Sequence, residues 1–100
     1  MPNASSRVMR HHLLLPRPYT APRNKIEETL EEIWRAALNI DCVGVEDDFT
    51  DLGGDSFDAE VIVTMIEEKL GVHTPLSTLA RAPTVAALAE AVQRMQKKPR

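Results

Sequence analysis

One hundred residues with a single cysteine, Cys42, allow one small domain and exclude both an intrachain disulfide and a zinc cluster. Apolar residues make up 43% of the chain but only four side chains are aromatic, so any core must rest on Leu, Ile, Val, Met and Ala. A net charge of −3 argues against nucleic acid as the main partner, and no apolar run approaches the length of a membrane span.

Met1 to Arg23 contains Pro2, Pro16, Pro18 and Pro22, four arginines, no acid and no sustained apolar period. Proline removes a backbone donor and disfavours helix before it, so residues 1–22 are expected to be a disordered or linker-like extension. Leu13-Leu14-Leu15 follows basic residues but is too short for a signal peptide core and stops at Pro16. His11-His12 has no third ligand nearby and reads as two solvated histidines.

The domain proper is expected over 23–96. Its first helix should open at Asn24, whose side chain can accept from the first turn while Glu27 returns the bond. Ile26, Leu30, Ile33, Trp34, Ala37 and Leu38 recur at steps of three and four and mark the buried stripe. Glu27, Glu28, Glu31, Glu32 and Arg35 are placed on the other faces. Asn39 ends the helix, because asparagine tolerates the left-handed conformation of helix C-termini.

Residues 40–55 form a long connection. Cys42, Val43 and Val45 should face inward, Gly44 should permit a bend, and Phe49 and Leu52 should anchor the loop. Asp41 to Glu60 carries eight acids and no Lys or Arg, which reads either as a solvated acidic loop or as an acidic surface that steers basic partners. The acids do not fall at the spacing of a calcium loop.

A second helix is predicted over 56–70, with Phe57, Val61, Ile62, Met65, Ile66 and Leu70 on one face and Gly71 as its cap. Pro75 and Pro83 bracket a connection in which Ser77 would cap one short turn through Leu79 and Ala80. Thr84 caps the last helix, whose stripe is Val85, Leu88, Ala89, Val92 and Met95. Residues 97–100 are expected to fray. The fold class is therefore all-α: a small bundle of three main helices and one short one, with no strand pattern and no repeat.

Ser56 carries the functional reading. Leu52-Gly53-Gly54-Asp55-Ser56 brings a serine to the start of a helix, beside free N–H groups and the positive end of the dipole, where phosphate is favoured. Catalysis fits less well. Gly54-Asp55-Ser56-Phe57-Asp58 lacks the second glycine and the preceding strand of a nucleophile elbow, and His73 lies beyond the far end of the helix. No lysine precedes Ser56, so a nucleotide-binding phosphate loop is excluded too. Covalent attachment of a phosphate-bearing group remains.

Residues 19–95 resemble the phosphopantetheine-binding carrier domains, most closely the peptidyl carrier domains of non-ribosomal peptide synthetases. Tyr19-Thr20-Ala21-Pro22-Arg23-Asn24 looks like the junction after an adenylation domain, and Ile33-Trp34 is similar to the first-helix signature. Val43 to Phe49, Asp51 to Ser56 and Ala82 to Ala89 are similar to the loop, the attachment motif and the start of the last helix. The resemblance implies an acyl-carrier-protein-like fold, no catalysis, and 4′-phosphopantetheine on the Ser56 hydroxyl, with Gly54 and Asp55 completing the attachment motif. The arm would hold acyl or aminoacyl intermediates as thioesters in non-ribosomal peptide or hybrid polyketide synthesis. It further implies a cytoplasmic, monomeric carrier whose partners are a phosphopantetheinyl transferase, a loading enzyme and a downstream condensing, tailoring or acyltransferase enzyme, with no metal, nucleic acid or membrane.

In that family partners read the second helix and its flanking loops, which nominates Phe57, Val61 and Arg81; for Phe57 and Val61 a core role stands beside docking. Asp58 and Ala80 depart from the common peptidyl pattern, where larger apolar residues are frequent. The start at Met1 suits a discrete carrier and the adenylation-type junction suits an excised domain. The alternative function is an interaction module that keeps the fold without the arm.

Overall fold

The computed structural model describes residues 7–97, and they form an all-helical bundle: α1 (Lys25–Leu38), α2 (Ser56–Leu70), α3 (Leu76–Arg81) and α4 (Val85–Lys97). α1 packs on α2 and α4, and the short α3 bridges α2 and α4. The core between them contains Leu30, Ile33, Trp34, Ile62, Ile66, Leu88 and Val92. Trp34 is fully enclosed and meets the Phe49 ring edge-on at 5.5 Å, which joins the long loop to α1. Its indole N–H finds no acceptor among the described residues.

Local chemistry sets the helix ends. Asn24 caps α1 by accepting from the Glu27 N–H at 2.9 Å, and Asn39 closes it in the left-handed region at φ 54. Gly71 closes α2 at φ 68, and the Thr84 hydroxyl accepts from the Ala87 N–H at the start of α4. At α3 the expectation changes. Ser77 lies inside the helix, which begins at Leu76, and the Pro75 carbonyl takes the Thr78 N–H that a side-chain cap would have taken.

Two glutamates of α1 are buried rather than turned to solvent. Glu31 is 7% exposed because the following loop crosses it: one oxygen accepts from the Val43 N–H and the other from Arg35. Glu27 is 5% exposed, and it accepts from the Arg23 N–H and guanidinium instead of returning a bond to Asn24. The Arg23 guanidinium holds the Glu27 carboxyl below the usual range.

The sign of the resulting pH dependence follows. A carboxyl depressed in the folded state contributes stability above its unfolded pKa, near 4.5 for Glu27, and that contribution is lost as pH falls through the folded value. Asp41, depressed mainly by the Arg10 N–H, and Asp48, depressed by the Thr50 hydroxyl, add in the same direction. Urea midpoints measured from neutral pH down to about pH 3 should therefore fall below about pH 4.5, and Glu27→Gln should flatten that fall.

Residues 7–22 differ from the linker-like chain that their prolines suggested. Val8 forms a parallel bridge with Ile40, exchanging bonds with Asn39 and Asp41 at 2.9 Å. A single 3₁₀ turn, Arg10–His12, then places the Arg10 guanidinium on Asp47 at 2.6 and 2.7 Å. Leu13 and Leu15 rest on the core, and the Thr20 carbonyl accepts from Val45. The prolines block helix here but not docking, since an extended chain still offers donors and acceptors to a neighbouring loop. Residues 1–6 and 98–100 lie outside the described residues, so of the expected frayed tail only Lys97 is placed, at the end of α4.

Candidate functional site

Ser56 is the first residue of α2, and it is exposed. The turn leading to it is built tightly. Leu52 is buried and donates to Asp48, Gly53 donates to Thr50 and sits at φ 90, and Gly54 donates to Phe49. The positive φ explains the glycine at 53. At 54 the reason is space: a Cβ there would lie far inside contact distance of the Phe49 ring. Gly54→Ala should therefore lower stability by about 1–3 kcal/mol through overpacking, read as a reduced melting temperature, and Phe49→Leu in the same chain should recover part of it. Gly44, expected to permit a bend, is likewise set by space, since a Cβ there would crowd Asp47 and the Thr20 backbone.

Asp55 caps α2 rather than pointing away from it. Its carboxylate accepts from the Asp58 N–H at 3.0 Å, and the Asp58 carboxylate accepts from the Asp55 N–H at 3.2 Å. This reciprocal box turns both acids onto the helix end. Burial pushes the Asp58 carboxyl above its usual range, and the neighbouring Asp55 charge pushes the same way against the pull of the Asp55 N–H. The Asp55 carbonyl takes the Ala59 N–H. The N–H groups of Ser56 and Phe57 therefore remain without a hydrogen bond among the described residues. An anion bonded to the serine oxygen would lie beside them.

Among the described residues no histidine is hydrogen-bonded to the serine. His73 is exposed, stands 3.6 Å from Glu67, and follows the end of α2, a helix roughly 22 Å long at its rise per residue. The length of α2 thus separates His73 from Ser56, and the two do not form a nucleophile–base pair.

Between α2 and α3 lies a cleft of about 550 Å³ that includes Ser56 on its rim. Phe49, Ala59, Leu79, Ala80 and Pro83 make its wall apolar. Leu76, 42% exposed at the start of α3, borders it as well; nothing in the local pattern distinguished this leucine from a turn residue. Ala80, noted above for its small size, is one of the residues that leave the cleft open.

Of the nominated docking residues, Phe57 and Val61 come together and Arg81 stands apart. Phe57 is 74% exposed, so the shared buried face expected for it is corrected. The inward face of α2 is set by Ile62 and Ile66, and Phe57 lies roughly 140° around the helix from Ile62. With Val61, Thr64 and Met65 it lines a shallow outward hollow of about 250 Å³. Arg81 lines a different hollow, with Thr78 of α3 and Ala91, Arg94 and Met95 of α4.

The acidic surface expected around Ser56 is thinner than the sequence suggested. Asp47 is buried against Arg10 and the Gly44 N–H, Asp41 accepts from the Arg10 N–H, and Glu46 faces Arg23 at 3.6 Å. The arginines of the lead-in thus meet the acids of the loop. Asp51 and Glu60 remain exposed near the helix start, beside the paired Asp55 and Asp58.

Known proteins resemble this chain in sequence and in fold. Residues 28–92 match the family described as phosphopantetheine attachment site. The chain is 46% identical over 79 residues to tyrocidine synthase 3 of Brevibacillus parabrevis, covering 79% of this chain and 1% of that protein. It is 39% identical over 80 residues to surfactin synthase subunit 1 of Bacillus subtilis strain 168, covering 80% of this chain and 2% of that protein. The chain thus spans only a small fraction of the curated relatives it matches. An active-site mutant peptidyl carrier protein solved in solution superposes with a TM-score of 0.79 at 30% identity, over 87% of this chain and 97% of that one. A peptidyl carrier protein solved in complex with the phosphopantetheine transferase Sfp and coenzyme A gives 0.74 at 34% identity, over 76% of this chain and 99% of that one.

Proposed function

Because the chain belongs to the phosphopantetheine attachment site family, a family of non-catalytic carriers, we propose that Ser56 is the residue on which it bears 4′-phosphopantetheine. The observation that carries the proposal is an exposed serine hydroxyl at the N-terminus of a long helix, beside two backbone N–H groups that the capping box leaves open. Those N–H groups and the helix dipole would hold the phosphodiester. Asp55 and Asp58, bound to each other's backbone, would keep the helix end in place. The apolar wall of Phe49, Ala59 and Leu79 would lie alongside the arm. The residues present therefore fit the group.

When bound, the arm supplies a terminal thiol that carries an acyl or aminoacyl group as a thioester. The chain presents that cargo in non-ribosomal peptide or hybrid polyketide synthesis. The named relatives support the peptide branch, being tyrocidine and surfactin synthases. A phosphopantetheinyl transferase is the first partner, supported by the carrier complex with Sfp and coenzyme A. A loading enzyme and a condensing or tailoring enzyme follow, and they meet the carrier in the cytoplasm as a monomer. Phe57, exposed directly after Ser56, and the half-buried Val61 one turn further along α2 are the contacts such enzymes would use. Among the described residues no helix is long and apolar enough to cross a membrane.

The test is the intact mass of the chain after incubation with coenzyme A, magnesium and a broad-specificity transferase, followed by peptide mapping. One phosphopantetheine mapped to Ser56 is the expected result. A folded sample that gains nothing, with its cognate transferase as well, would leave the interaction-module reading.

A further inference from the structure

Arg81 and Arg94 are charges that the fold leaves unused. Among the described residues the salt-bridged arginines are Arg10, Arg23 and Arg35. Arg81 and Arg94 are exposed, their guanidinium groups make no ion pair or hydrogen bond among the described residues, and they line one hollow of about 420 Å³ between α3 and α4. Among the described residues no carboxylate lines that hollow. Glu90 precedes Arg94 by one turn on α4, yet the two form no ion pair. The floor is apolar, made by Ala91, which is buried, and by Met95. Two guanidinium forks over an apolar floor match carboxylates flanking an apolar side chain.

From this we infer that the α3–α4 hollow is a docking site for an acidic amphipathic segment of a partner protein, gripped by Arg81 and Arg94. The charge pattern selects that occupant. The chain as a whole is negative, at −3, so this unpaired couple is a local face of opposite sign. Two arginines are too few to track a nucleic-acid backbone, whose binding scales with the number of phosphates neutralised. The hollow also shares a wall with the cleft beside Ser56. Leu76, Leu79 and Ala80 of α3 face that cleft, while Thr78 and Arg81 face this hollow. A partner seated here would hold the helix that borders the serine cleft without covering the serine. The inference does not depend on Ser56 being modified.

The experiment is a titration of the full, unmodified chain with a Glu/Leu amphipathic peptide of roughly four helical turns, followed by amide chemical shifts at low salt. A Lys/Leu peptide of the same length is the control. Shifts should centre on residues 78–81 and 91–95, and the Arg81→Glu/Arg94→Glu chain should bind the acidic peptide roughly tenfold more weakly while gaining the Lys peptide. Both positions are exposed, and circular dichroism of the variant checks that it is folded. Shifts centred on Phe57 to Met65 or on residues 7–23, or binding unchanged by the double substitution, would overturn the inference. So would tighter binding of a single-stranded oligonucleotide at the same two arginines.

Discussion

Ser56→Ala is expected to abolish phosphopantetheine uptake completely while leaving the melting temperature of the chain unchanged. The loss is total because the hydroxyl oxygen is the bond-forming atom and no other serine follows a glycine pair at a helix start. The stability is unchanged for a separate reason. The Ser56 side chain is exposed and makes no hydrogen bond among the described residues, and the α2 cap belongs to Asp55. Alanine at the first helical position keeps the backbone geometry, so the change should stay within about 0.5 kcal/mol. Intact mass and thermal denaturation of the same two samples check both halves. Uptake by the alanine variant would move the attachment point elsewhere.

The second large effect is on folding. Asp47→Ala should destabilise the chain by about 3 kcal/mol. Asp47 is 3% exposed and receives the Arg10 guanidinium at two oxygens and the Gly44 N–H at 2.8 Å. Removing it strands a partly buried cation and a buried N–H together, and a partner lost from such a pair costs more than the pair itself contributes. For a domain of this size the melting temperature should drop by more than about 10 °C. Arg10→Ala should cost somewhat less, since Gly44 keeps its acceptor, and the double variant should cost less than the sum. Urea midpoints for the three variants measure the coupling. An Asp47→Ala chain as stable as the wild type would show that residues 7–22 are not held to the bundle.

Much of the site was legible in the chain itself. Gly53-Gly54-Asp55-Ser56 announces a tight turn into a helix with an apolar period after it, and what the structure adds there is local too: Gly53 in the left-handed region and Asp55 as the cap. Arg81 was legible as a cation but not as the neighbour of Arg94, because the two lie on different helices. Phe57 illustrates the limit of periodicity. Apolar residues occupy more than one face of α2, so the period alone cannot say which face turns inward.

What the sequence determined by itself are the four helices, their ends at Asn24, Asn39, Gly71 and Thr84, and the serine at the head of α2. Each depends on residues within about one helical turn, where backbone dihedrals, capping and spacing operate. Tertiary structure alone decided that Arg10 reaches Asp47 across 37 residues and that Glu31 turns inward to the Val43 N–H across 12. It also decided that Gly54 must be bare because Phe49 folds beneath it, and that Arg81 and Arg94 share a hollow. The physical reason is the same in each case. A buried donor, charge or ring is satisfied by whatever the fold brings to it, and that partner has no fixed distance along the chain.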